Sequence, residues 1–170
     1  YLVLTKENLR LGIICLCGQL LMPPCNNPFT TLNEFIQSHF AKDIDQASFF
    51  SLPHPVILDF HTETTSEKRA MGWFADGKLS AVIGTHTHIQ TADEEILPLG
   101  TAYITDVGMT GSHNSVIGVK KEIAVEKFCT CVPKRFESSD SGLQINAVLL
   151  ELNSETGLAE SIIRIKSNIE

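Results

Sequence analysis

The stretch Val56-Ile57-Leu58-Asp59-Phe60-His61-Thr62-Glu63-Thr64-Thr65-Ser66-Glu67 changes its period partway along. Val56 to Leu58 is a short apolar run, of the kind a strand buried on both faces requires. Thr64 and Glu67 have capping-box spacing and predict a helix that runs to about Ala75, where Asp76-Gly77 stops it. Leu79 to Ile83 is then a second apolar strand, and Ala102 to Thr105 a third. Strand, helix, strand with short connections predicts a parallel pair covered on both sides.

Toward the N-terminus, Tyr1 to Thr5 and Leu11 to Met22 flank Lys6-Glu7-Asn8 and read as a β-hairpin. The apolar stretch is too short to span a bilayer, and its Leu-Leu-Met-Pro-Pro ending is not that of a signal peptide, so no membrane role is expected. The chain opens inside this element with Tyr1, which points to a piece of a longer protein. After the Pro-rich segment 23–28, Thr31 and Glu34 have capping-box spacing and predict a helix carrying Leu32, Phe35, Ile36 and Phe40. Pro53 and Pro55 bracket the approach to Val56. Lys120 to Phe128 predicts another helix, and Leu143 to Leu152 with Ser161 to Lys166 an antiparallel pair of strands. The whole chain, 1–170, reads as a single domain of layered, mixed α/β class.

Composition excludes several functions. At 43% hydrophobic and 19% charged residues, the 170-residue chain is neither disordered nor collagenous nor a coiled coil. With 13 Lys and Arg against 20 Asp and Glu, the net charge is −7, the wrong sign for a protein built to hold a phosphate backbone. Nucleic acid is therefore not expected as the primary partner. The five cysteines include Cys15-x-Cys17 and Cys129-x-Cys131, whose spacing is wrong for a zinc knuckle. They read as reduced thiols, each pair side by side on a strand, in a cytoplasmic protein. There is no Gly-x-Ser-x-Gly elbow and no phosphate-binding Walker loop.

The three central strands share one property: each runs into polar residues, Asp59-Phe60-His61-Thr62-Glu63, Gly84-Thr85-His86-Thr87-His88 and Asp106-Val107-Gly108. Open α/β sheets place their sites just past such carboxyl ends. His86 and His88 are two apart, so on an extended backbone both rings leave one side, as ligands of one metal cluster must. Satisfied structural histidines are the competing reading. Asp59, His61 and Glu63 also alternate; His61 reads as a ligand, with the two carboxylates orienting it or capping the next helix. The N-terminus of that helix would favour a phosphate beside the metals. His39 reads as a helix-end cation, His54 as a loop residue, His113 as a loop residue within reach of substrate, and Asp106 as a hydrogen-bonding residue. Trp73 and Phe74 read as core. Metal-assisted hydrolysis is the chemistry left standing.

Three runs, 59–68, 84–93 and 100–111, resemble the YmdB-like bacterial phosphodiesterases, members of the calcineurin-like metallophosphoesterases. The resemblance implies a two-sheet α/β sandwich around two divalent ions, Fe, Mn or Zn. It implies that His61 and His86 hold one ion and His88 the other. It further implies hydrolysis of phosphodiesters such as 2′,3′-cyclic nucleotides by a metal-bound hydroxide. The likeness covers about the C-terminal two-thirds of the family's length. The remaining ligands and the family's catalytic His would lie upstream of Tyr1, so no catalytic residue is assigned within this chain. The chain alone is then expected to be a poor catalyst, with an unpaired apolar edge that favours self-association into a homo-oligomer. A non-catalytic remnant or interaction domain is the alternative. Ser112 departs from the family, whose members usually have Pro there.

Overall fold

A computed structural model describes residues 1–7, 9–39 and 55–169. The elements in chain order are β1 (Leu2–Lys6), β2 (Leu9–Cys17), α1 (Pro28–His39), β3 (Val56–His61), α2 (Thr65–Ala75) and β4 (Ala81–Thr85). They continue with β5 (Glu95–Ile96), β6 (Ala102–Ile104), β7 (Gly111–Ser112), α3 (Lys121–Thr130), β8 (Leu143–Leu152) and β9 (Ala159–Asn168). One sheet has the order β1-β2-β3-β4-β6-β5 and the other β7-β8-β9. The central strands β2, β3, β4 and β6 are parallel, while β1 and β5 run antiparallel to their neighbours. Among the described residues, no helix is long and apolar enough to cross a membrane.

Strand alternation divides the core in two. Val56, Leu58 and Phe60 point to one side of β3 and are fully buried with Leu32 of α1 and with Met71 and Ala75 of α2. Burying side chains of this size is worth roughly 1.5–3 kcal/mol each. Ala81, Ile83, Ala102 and Ile104 line the opposite side, where Ile57 joins them against Val148, Leu150, Leu152 and Ile162 of the second sheet. Register pairs Asp59 with Ile83 and His61 with Thr85. Asp59 and His61 therefore continue the face of Ile57, at the rim between the sheets. The βαβ unit stands where its period places it, although β4 runs two residues further than the apolar pattern, to Thr85.

Gly84 makes that extension possible. A Cβ there would lie 1.7 Å from the Thr105 carbonyl oxygen. Only glycine lets β4 approach the β6 exit closely enough for Val107 N–H to donate to Gly84 O at 2.9 Å.

Several local expectations are corrected. α1 begins at Pro28, not Thr31, because Asn27 Oδ1 accepts from Phe29 and Thr30 N–H and Pro28 occupies the first helical position. Phe40 and His54 lie outside the described residues. β2 stops at Cys17 instead of running to Met22, because the Glu67 carboxylate takes the Gln19 and Leu20 N–H groups. Cys129 and Cys131 sit at the end of α3, not on a strand, and all five cysteines are free and exposed. Trp73 is half-exposed, with the Arg69 guanidinium 4.8 Å from its ring centroid, while Phe74 packs on the core. Ser112 is buried in β7, where its hydroxyl donates to Ser141 O at 2.6 Å.

The capping box of α2 does not close. Thr64 has the extended backbone of an N-cap, but its side chain caps nothing and its hydroxyl is buried without a partner. Glu67 instead turns to the β2 exit, accepting from Thr62 Oγ1 at 2.6 Å as well as from Gln19 N–H. Thr64→Val should therefore be neutral or mildly stabilising in urea denaturation, since it removes an unsatisfied hydroxyl. Glu67→Gln should cost about 1–3 kcal/mol by leaving a buried donor unpaired. A Thr64→Val loss of cap size, with Glu67→Gln neutral, would contradict this arrangement.

Candidate metal centre

His61 ends β3, and His86 follows β4 directly. Their side chains meet: His61 Nε2 and His86 Nδ1 are 3.1 Å apart, with the rings nearly perpendicular. The other nitrogen of each ring is already committed. His61 Nδ1 lies 3.0 Å from Thr85 Oγ1, and Thr85 Oγ1 donates to Asp59 Oδ1 at 2.7 Å. A hydroxyl whose proton goes to a carboxylate can only accept from the imidazole, so His61 carries its proton on Nδ1. His86 Nε2 lies 3.0 Å from Glu63 Oε2, and a carboxylate offers no proton, so His86 carries its own on Nε2.

When neutral, the two rings therefore aim lone pairs at each other across 3.1 Å. A cation between them, either a proton or a metal ion, resolves that opposition. Two nitrogens about 2.0–2.1 Å from one ion, in neighbouring ligand positions, are themselves about 3.0–3.4 Å apart. Carboxylates and hydroxyls on the far ring nitrogens are the usual support of metal-bound histidines. The pair thus fits a divalent ion in both spacing and proton placement. Among the described residues, no group of three or more His, Cys, Asp or Glu side chains is arranged to hold one.

The supporting roles differ from those the alternation suggests. Glu63 serves His86 and not its sequence neighbour His61, and Asp59 reaches His61 only through Thr85. The bridging role of Thr85 has no signal in the sequence, where it is one more polar residue in the strand exit Gly84-Thr85-His86-Thr87-His88. Asp59 Oδ2 also accepts from the Cys15 thiol at 3.7 Å. Burial and the Asp59 charge push that thiol's pKa up.

The backbone of the His-x-His segment is not extended. β4 ends at Thr85, and His86 and His88 have φ of 117° and 66°. The same-face argument for the pair therefore fails, and each ring takes its own direction. His88 is exposed, with Nδ1 3.3 Å from the Ile117 carbonyl oxygen. The other described histidines, His113 and His39, have partners of their own. His113 Nε2 lies 3.0 Å from Met109 O, and His39 stacks on Phe35 at the end of α1.

Lys68 and Asp106 stand behind the site, both fully buried and 2.7 Å apart. Lys68 also donates to Thr85 O at 2.8 Å, and Asp106 accepts from the N–H groups of Thr87 and Gly108. Asp106 is thus the hydrogen-bonding residue expected of it. Burial pushes its carboxyl up, but the bonds from Lys68, Gly108 and Thr87 outweigh this and hold it below its ordinary value. Lys68 was missed, although a signal exists: it shares the buried face of α2 with Met71, Gly72 and Ala75 at spacings of three, four and seven.

This is a two-sheet, mixed α/β domain whose polar groups gather at the carboxyl ends of parallel strands. Residues 1–165 match the family described as YmdB-like protein, and the chain belongs to that family. A Bacillus subtilis protein named 2′,3′-cyclic-nucleotide 2′-phosphodiesterase is 41% identical over 159 residues, 94% of this chain and 56% of its own. A Mycoplasma genitalium protein is 40% identical over 163 residues, 94% of this chain and 54% of its own. The chain thus spans about half the length of these curated relatives. A crystal structure described as a novel phosphatase of Mycoplasma pneumoniae has a TM-score of 0.83 and 36% identity, with 98% of this chain and 56% of that one covered. A hypothetical protein of Thermus thermophilus has a TM-score of 0.81 and 32% identity, with 98% and 61% covered.

Two measurements check this geometry. In metal-free protein, long-range ¹⁵N–¹H spectra should show neutral His61 protonated on Nδ1 and neutral His86 on Nε2; the reverse tautomer on either ring would contradict the bonds to Thr85 and Glu63. For Asp106, a pKa lowered by folding gives stability that is complete above the unfolded value and lost as pH falls through the folded one. Thermal melts should therefore show stability falling below about pH 3.8, with a flatter acid limb in Asp106→Asn. An equally steep limb in that variant would assign the loss to other carboxyls.

Proposed function

We propose that this chain is part of a metal-dependent phosphodiesterase of the calcineurin-like type, acting on small phosphodiesters such as 2′,3′-cyclic nucleotides. One observation carries the reading: His61 Nε2 and His86 Nδ1 face each other at 3.1 Å while their other nitrogens are held by Thr85 and Glu63. His61 and His86 would hold one divalent ion, and His88 would serve the second. When bound, such ions supply Lewis-acid stabilisation of charge on phosphoryl oxygens and make water more acidic. The name of the Bacillus subtilis relative supports the substrate class.

The chain's own residues prepare that chemistry. Asp59 orders the Thr85 hydroxyl, which fixes the His61 tautomer and keeps Nε2 free to bind. Glu63 draws the His86 proton to Nε2 and leaves Nδ1 free. α2 begins at Thr65, four residues after His61, and the N–H groups of its first turn would favour a phosphoryl group there. Since no third donor joins the pair among the described residues, the 170 residues alone should bind metal weakly and turn over little substrate.

Titration of Mn²⁺ into metal-stripped chain, followed by electron paramagnetic resonance, tests the assignment. Weak binding should fall by at least about tenfold in His61→Ala and in His86→Ala. Binding unchanged in both variants would remove the site. Cleavage of 2′,3′-cyclic AMP should be slight; robust Mn- or Fe-dependent turnover by this chain, abolished by His86→Ala, would show that the pair needs no further ligands.

A further inference from the structure

His86 has a backbone that side chains other than glycine's rarely adopt, with φ at 117°. Such a residue persists only where its surroundings over-determine it. Two bonds do so here, one on each side. The carbonyl that precedes His86 belongs to Thr85 and accepts from Lys68 Nζ at 2.8 Å. The N–H that follows His86 belongs to Thr87 and donates to Asp106 Oδ2 at 3.0 Å. Lys68 and Asp106 are bonded to each other at 2.7 Å and fully buried. The two peptide groups that flank His86 are therefore clamped by the two ends of one ion pair, whose members come from α2 and the β6 exit.

We propose that Lys68 and Asp106 are positioning residues for His86, holding its strained backbone so that Nδ1 faces His61 Nε2. Where this concerns metal affinity, it rests on the reading of His86 as a ligand. The pair is withdrawn from the surface, and it acts on His86 through the two peptide groups alone. A purely structural ion pair would behave differently. Buried pairs can often be exchanged for apolar residues of similar volume without loss of stability, and nothing else should then change.

The test replaces the pair in the full chain with Lys68→Met/Asp106→Leu, which removes both clamps and leaves no lone charge behind. A companion, Lys68→Met/Asp106→Asn, keeps an acceptor for Thr87 N–H and remains usable if the apolar pair does not fold. In metal-free protein, the nuclear Overhauser effect between the His61 and His86 rings should vanish in the first variant and partly survive in the second, with circular dichroism unchanged. Mn²⁺ affinity should fall about 10–100-fold in the first and less in the second. Loss of the ring contact in a chain that never binds Mn²⁺ would uphold the positioning role and sink the metal reading instead. A folded variant without either clamp that keeps the ring contact, and Mn²⁺ affinity within twofold, would overturn the proposal.

Discussion

Lys68 and Asp106, both withdrawn from water, hold each other at 2.7 Å where β3, β4 and β6 leave the sheet. Removing one partner of such a pair costs about 3–5 kcal/mol, because the other is left as a lone buried charge. Whole domains are stable by only about 5–15 kcal/mol, so this junction is a large share of what folding can lose. Its geometry also decides where the polar residues go. Lys68 ties α2 to the end of β4, Asp106 ties the β6 exit to Thr87 just after β4, and His86 lies between the two attachments.

Glycine and burial complete the arrangement. Gly84 lets β4 lie against the Thr105 backbone, which brings the Asp106 carboxylate within reach of Lys68 and Thr87. The apolar side of β3 packs under α1 and α2, while its other side carries Ile57 into the space between the sheets and Asp59 and His61 to the rim. The fold thereby supplies a rigid floor and a strained edge. The edge holds two imidazoles in a contact that is unfavourable unless a cation sits between them.

Much of this is legible in the residues themselves. The apolar runs at 56–58 and 79–83 read as buried strands, although β4 begins only at Ala81, and the helix between them ends where Asp76-Gly77 stops it. What misleads is local pattern taken without its tertiary competitor. Thr64 and Glu67 have the spacing of a capping box, yet Glu67 finds two donors at the β2 exit and a third in Thr62 after β3, and leaves Thr64 unpartnered. Thr31 and Glu34 have the same spacing, but Asn27 caps earlier. His86 and His88 look like neighbours on one strand face, while the clamp on Thr85 and Thr87 bends the chain between them. The Asn27 cap is local, but the bonds of Glu67 to Gln19 and Leu20 and the clamps beside His86 join residues 17 to 48 apart, which no window of the sequence displays.

The proton placement on His61 and His86 is what turns their close contact into a cation site. The most direct measurement is anomalous diffraction at the manganese edge from a crystal of the chain soaked in Mn²⁺. A peak should stand within about 2.0–2.3 Å of both His61 Nε2 and His86 Nδ1, with Thr85 and Glu63 still on the opposite nitrogens. A peak elsewhere, or none while the two rings remain in contact at full soaking, would contradict that cation site.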